Sequence, residues 1–260
     1  FPELKITQGF LALAQFWKHR LAHESNSSTD PTGSALRISR RYGAFRVAEY
    51  DFSELEPSQL PTISALWVAH PKDFDILPHS IEGVLRHSLN TVENIVIVSP
   101  DSARAQQSLS PELLARSRFS FLNDSVFISA ATEQILTTAF PSHTGWAKQQ
   151  IIKVVSCAEN QSSSTLVMDS DTIMLRDKAW LLPNSTQLMY SRSFHNPRYQ
   201  HYLEHWGLGN LDPLKSFVTH HMLFQPLLLR EVLTERFGST EPGNIATMLG
   251  ESARALGFPE

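Results

Sequence analysis

Two carboxylates one residue apart, Asp169 and Asp171, close the apolar run LVMDSDTIML at residues 166–175. Hard divalent cations such as Mg²⁺ or Mn²⁺ prefer oxygen ligands and share them with phosphates. Such a pair therefore suits a metal that bridges a diphosphate and stabilises it, as a Lewis acid, when it departs. An Asp pair that caps a helix or faces water is spelled the same way, and short patterns recur by composition. Context separates the two readings. Residues 165–168 (TLVM) read as a short buried strand, and open α/β sheets bind ligands at the carboxyl ends of their strands.

The elements that must position this pair are legible on either side. Residues 62–69 (TISALWVA) read as a buried strand, 75–88 as a helix with Leu77, Ile81, Val84 and Leu85 on one face and Pro78 in its first turn, and 94–99 (NIVIVS) as a second buried strand. Strand, helix and strand in about 40 residues make a βαβ unit, whose connection is right-handed. Residues 100–144 are less regular. A helix over 145–155 carries Ala147, Ile151, Val154 and Val155 on its apolar face, with Gln149, Gln150 and Lys153 on the other. Strands are expected at 187–191 and 217–224, and closing helices at 226–237 and 245–256. The chain thus reads as α/β, Rossmann-like, with a mostly parallel central sheet flanked by helices. Residues 1–58 form an extension with an apolar, helically spaced stretch at 10–21 and a Ser/Thr/Asn/Pro/Gly-rich loop at 23–34. The principal domain spans 59–260.

Other residue types near the pair carry possible chemistry. Lys148, Gln149 and Lys153, on the helix before it, can address a diphosphate or sugar hydroxyls, or simply form a polar helix face. Trp146 fits the core better than a nucleotide shield. His220 and His221 lie in an apolar strand and alternation sends them to opposite faces. A neutral imidazole completes a metal site begun by two Asp, and His221 is narrowly preferred for that role, with a satisfied core histidine as the plain alternative. Tyr199, Tyr202, Leu203 and Trp206 recur at helical spacing, which favours core packing over sugar stacking, and His195 and Arg198 beside them are acceptor candidates.

Three segments in order, GWAKQQIIKVV at 145–155, VMDSDTIML at 167–175 and SFVTHHMLF at 216–224, resemble a little-characterised bacterial family of GT-A glycosyltransferase-like proteins. The similarity spans roughly residues 62–237. It implies a GT-A fold, a nucleotide-diphospho-sugar donor (UDP-linked as the commonest choice) and a glycan or other hydroxyl acceptor. Mn²⁺ or Mg²⁺ would be held by Asp169 and Asp171, with His221. Lys72 and Asp73, after the first strand, and Asp101, after the second, become candidates for base and ribose contacts, against the plainer reading of solvated turns. The setting it implies is bacterial surface-polysaccharide assembly. An aromatic, acidic segment often follows this region in that family, so the chain is expected to stop short of it.

Two rivals remain. DSDTI also resembles the nucleophile motif of haloacid-dehalogenase-type phosphatases, with Asp169 as nucleophile and Asp171 as acid/base, but that motif normally opens its domain. Lys215 is available downstream, whereas the acidic pair that should complete the magnesium site is not found. The other rival is a module that binds nucleotide or glycan without turnover, since no downstream Glu stands in a recognisable general-base context. A net charge of −4 with 22 Lys and Arg argues against nucleic acid. The single cysteine, Cys157, excludes an intrachain disulfide and fits a cytoplasmic setting, with a peripheral place at the membrane allowed; no apolar run reaches the roughly 20 residues of a membrane span. Asn-x-Ser/Thr triplets at Asn26, Asn123, Asn160 and Asn184 are ascribed to chance in a Ser/Thr-rich chain.

Overall fold

The computed structural model describes residues 37–42, 45–49, 55–188, 192–193, 215–216 and 220–255. The expected helices at 10–21 and 199–206, the loop at 23–34, and His195 and Arg198 lie outside them. The chain divides into two compact units, Phe1–Leu55 with Tyr190–Thr219, and Glu56–Met189 with His220–Glu260. In the first, β1 (Arg37–Tyr42) and β2 (Phe45–Glu49) pair antiparallel, with a register irregularity between Ile38 and Arg40.

The second unit is built on β3 (Ile63–Val68), a run of six buried residues, as a central strand covered on both faces requires. It leads to α1 (Leu77–His87), which buries Leu77, Ser80, Ile81, Gly83 and Val84 on one side. Gly83 is there because nothing larger fits: a Cβ at that position would lie 2.9 Å from both the backbone N and O of Met174. The helix can therefore press directly on the segment that follows the Asp pair. The next strand, β4 (Val92–Ser99), pairs parallel with β3.

Residues 100–144 are more ordered than their pattern suggests. They form α2 (Ser102–Gln107), the single turn α3 (Pro111–Leu114), β5 (Arg118–Asn123) and α4 (Ala130–Ala139). β5 pairs parallel with β4 at the edge of the sheet, and no residue of it is fully buried, which is why it lacks an apolar signature. Then α5 (Thr144–Glu159) feeds β6 (Thr165–Met168), which pairs parallel with the other side of β3. β7 (Arg192–Ser193) and β8 (Lys215–Ser216) form an antiparallel pair in the first unit. β9 (His221–Phe224) returns to the large sheet antiparallel to β6. α6 (Pro226–Phe237) ends on Gly238, whose φ of 69° is the left-handed conformation that glycine adopts without strain, and α7 (Pro242–Ala255) follows. Of the strand expected at 187–191, Gln187 makes only an isolated bridge to Leu181; the strand expected at 217–224 begins, among the described residues, at His221.

The fold of this unit is thus α/β: a mostly parallel five-stranded sheet in the order β5-β4-β3-β6-β9, flanked by helices. Crossovers of the usual right-handed kind would put the helices between β3 and β5 on one face and those between β5 and β6 on the other. The amide of Asn90, fully buried, ties the sheet to the segment beyond the Asp pair. Its Nδ2 donates to the carbonyls of Pro61 (2.9 Å) and Leu181 (2.8 Å), while its Oδ1 accepts from the N–H groups of Trp180 (2.8 Å) and Leu181 (3.3 Å). No helix among the described residues is long and apolar enough to cross a membrane.

Candidate functional site

The order of the sheet selects one place for a ligand. The chain leaves β3 towards β4 on one side and comes back to β6 on the other, so the strand order reverses at β3, and in folds of this kind the crevice that takes a ligand lies beyond the carboxyl ends of the two strands at such a reversal, here β3 and β6. The rim after β3 is His70 and the 3-10 turn Pro71–Asp73; the rim after β6 is Asp169, Ser170 and Asp171. One hydrogen bond joins the rims: the Ser170 hydroxyl, on a residue only 3% exposed, donates to Asp73 Oδ2 at 3.0 Å.

Asp169 is the most constrained of these residues. Its Oδ1 meets the Lys153 ammonium at 2.5 Å, and its Oδ2 lies 3.0 Å from His220 Nδ1. Its N–H donates to the carbonyl of His220 (2.9 Å), and its own carbonyl accepts from Thr172 N (3.1 Å) and, at the long limit of 3.5 Å, from the Ser80 hydroxyl. Burial by itself would raise its pKa; the His220 hydrogen bond and the Lys153 charge outweigh that and hold the carboxyl below its usual range, so it is ionised at neutral pH. Asp171, two residues on, is exposed and makes no hydrogen bond or ion pair among the described residues.

Lys153 is a correction to the helical-wheel reading, which put it on the polar face of α5. It is 4% exposed: its stem lies in the core, and the carboxylate of Asp169 makes burial of the charge tolerable. Gln149, one turn earlier on the same face, donates from Nε2 to the carbonyl of Val68 (2.9 Å), so α5 touches the ends of β3 and β6 with successive turns. Lys148 points elsewhere. Its ammonium is taken by Asp124 (3.0 Å) and Glu133 (3.3 Å); burial acts to lower its pKa, but these two carboxylates raise it above its ordinary value. It braces α4 and α5 and is not brought to the Asp pair. Trp146 is half-buried.

The two histidines also divide differently from the expectation. His221 Nδ1 accepts from Trp180 Nε1 (3.3 Å), with the rings edge-on at 5.7 Å. Burial, helped by the nearby positive Lys178, pushes its pKa down to about 4, so it is a neutral ring serving the core. It is His220, just before β9, that reaches Asp169. Strand alternation correctly separates the pair, but which face turns to β6's end depends on the register of β9, Met168 opposite His221.

Asp101 spends one oxygen as the N-cap of α2, accepting from Arg104 N at 3.0 Å, and lies beyond β4, one strand away from the crevice. Lys72 is exposed on the rim, its backbone N–H donating to the His70 ring. Two groups that hold this region are not what the sequence favoured. One is His220, there the second choice behind His221, in its contact with Asp169. The other is Ser80, fully buried, which accepts from Trp67 Nε1 at 2.9 Å. Its signal was a hydroxyl among Leu77, Ile81 and Val84 on an apolar helix face, where a polar group needs a partner.

Comparison of the chain with protein-family models and with curated proteins gives no match. Function has to be argued from this crevice.

Proposed function

We propose that the protein is a metal-dependent glycosyltransferase of GT-A type, which moves a sugar from a nucleotide-diphospho-sugar to the hydroxyl of a glycan or other acceptor. The observation that carries the reading is a carboxylate, Asp171, exposed and unpaired among the described residues, two positions beyond Asp169, which holds the buried ammonium of Lys153 at the carboxyl end of β6. A diphosphate needs positive charge, and a chain with no basic excess has to supply it by placement.

The residues fit a hard cation in one specific way. Among the described residues no three His, Cys, Asp or Glu side chains come together as a protein cage. Mg²⁺ and Mn²⁺ are commonly held by one or two carboxylates, with phosphate oxygens and water completing the shell, and Asp171, exposed beyond the end of β6, would be such a ligand. The cation would offset the charge that builds on the departing diphosphate. Lys153, held by Asp169, would add a fixed positive charge near the end of β6. Asp73, with Oδ2 on Ser170, keeps Oδ1 to accept from a ribose hydroxyl or a base N–H, and Lys72 lies on the same rim. The haloacid-dehalogenase reading needs Asp169 as nucleophile, and the engagement of both its oxygens weighs against it. A cytoplasmic enzyme of surface-polysaccharide assembly is the setting that accompanies this proposal.

The test is calorimetric titration of UDP and GDP, with and without Mn²⁺, into the native chain and Asp171→Asn. One nucleotide should bind with Mn²⁺ dependence, and the substitution should remove that dependence. No binding to the intact, folded chain sinks the donor-site assignment.

A further inference from the structure

We propose that the hairpin of β1 and β2 is a docking surface for an anionic lipid bilayer. Its support lies in the first unit alone and is independent of the glycosyltransferase reading.

Charge is divided unevenly between the two units. Phe1–Leu55 with Tyr190–Thr219 holds 10 Lys and Arg against 8 Asp and Glu, whereas Glu56–Met189 with His220–Glu260 holds 12 against 18. The net −4 of the chain thus splits into +2 on the first unit and −6 on the second. Within the first unit the positive charge gathers on strands. RISRRY and FRVAE set Arg37, Arg40, Arg41 and Arg46 on eleven residues with Glu49 as their one acid, and β7 and β8 add Arg192 and Lys215.

The register makes this concentration unfavourable for a hairpin on its own. Arg41 pairs directly with Arg46, and like charges directly opposite each other destabilise an antiparallel pair. Partnered residues share a face, so Arg41 and Arg46 belong to one face, and Arg40 belongs to the other with Tyr42, Phe45 and Val47. Neither face is free of arginine, so neither is the wholly apolar face with which a two-stranded ribbon settles on a core. An anion shared by the arginines offsets the repulsion, and the guanidinium fork matches phosphate oxygens in particular.

The order of residue types along the ribbon selects a bilayer among polyanions. Tyr42 and Phe45 are its last pair, with only Gly43 and Ala44 between them in the chain; Arg41 and Arg46 come next, then Arg40 opposite Val47. Aromatic residues at the end and arginines one pair behind, about 3.4 Å along the strand, match the depths at which a bilayer surface takes each type. Rings sit at the headgroup boundary, and cations meet the anionic headgroups above it. A nucleic acid calls for cations gathered on one face along a phosphate backbone, and here they divide between both faces.

The experiment is co-sedimentation of the full chain with vesicles of phosphatidylcholine alone and of phosphatidylcholine mixed with phosphatidylglycerol, at low and high salt. A duplex oligonucleotide is titrated alongside, and every variant is checked by circular dichroism. The native chain should bind the mixed vesicles, bind phosphatidylcholine far more weakly, and lose affinity as salt rises. Arg41→Gln/Arg46→Gln should weaken binding to the mixed vesicles by about 25-fold, roughly fivefold per arginine. Arg41→Lys/Arg46→Lys, which keeps the charge, should bind nearly as the native chain does. Tyr42→Ser/Phe45→Ser should bind more weakly and with a steeper dependence on salt. Equal binding to both kinds of vesicle, a glutamine variant that binds like the native chain, or a folded lysine variant that does not bind overturns the proposal. Tighter binding to the oligonucleotide than to the mixed vesicles overturns the choice of a bilayer.

Discussion

Lys153→Met isolates the electrostatic part of the crevice, because methionine keeps the length and much of the volume of the lysine stem while removing the charge. Breaking a fully buried ion pair by removing one partner costs about 3–5 kcal/mol, since the other charge is left without compensation. Asp169 has a side chain 29% exposed and keeps His220, so solvent and the imidazole recover part of that cost. Lysine's own desolvation is also relieved. About 2 kcal/mol of destabilisation at neutral pH remains, which for a chain of this size lowers the melting temperature by roughly 4–8 °C. The pH dependence carries the diagnosis. The carboxyl of Asp169 is depressed in the native state, so its stabilising contribution is complete above the unfolded carboxylate range and is lost as pH falls through the native value. Without Lys153 the depression shrinks, and native and variant should converge in acid. Scanning calorimetry across pH decides it. An unchanged melting temperature at pH 7, or a deficit that persists undiminished below the carboxylate range, refutes the reasoning.

Asn90→Ala would strip partners from two carbonyls, one buried and one part-buried, and two buried N–H groups at once; about 3 kcal/mol of destabilisation is expected, read as a lower urea midpoint with unchanged slope. His221, held neutral with a pKa of about 4 against an ordinary 6.5, gains a proton on unfolding anywhere between those values. Stability should therefore fall as pH drops from about 6.5 towards 4, by roughly 2 kcal/mol after allowing for partial exposure of the ring, and His221→Phe should flatten that part of a urea-midpoint profile. A profile unchanged by the substitution would mean the ring titrates normally.

Much of the second unit was readable because its strands and helices bury their residues in the two simplest patterns. β3 and β6 are fully buried runs with a single hydroxyl residue each, and α1 repeats its apolar residues at helical spacing. β5 was not readable for the converse reason. At the edge of the sheet RFSFLN stays half-exposed, and Phe119 and Phe121 stack on each other on one face, with ring centres 6.1 Å apart, instead of joining a continuous core. The two short helices after β4, and α4 itself, depend on capping by Asp101, Ser110 and Ser129, and such caps are hard to pick out in a Ser-rich stretch.

The two lysines of α5 show where reading a site from sequence stops. Lys148 and Lys153 are five residues apart, chemically identical, and both near the Asp pair in the chain. A helix turns about 100° per residue, so five residues rotate the second lysine about 140° away from the first. That rotation sends them to different partners, but only the tertiary fold decides what the partners are. Asp124 and Glu133 come from a turn and a helix in the stretch that looked irregular, and they take Lys148. Asp169 lies at the end of a strand whose position follows from the reversal of strand order, and it takes Lys153. The same logic separates His220 from His221: adjacency fixes that they diverge, and the pairing of β9 with β6 fixes which one meets the carboxylate. Residue type and spacing therefore mark the charged groups near the end of β6, while the state of each charge is set by neighbours that only the fold brings together.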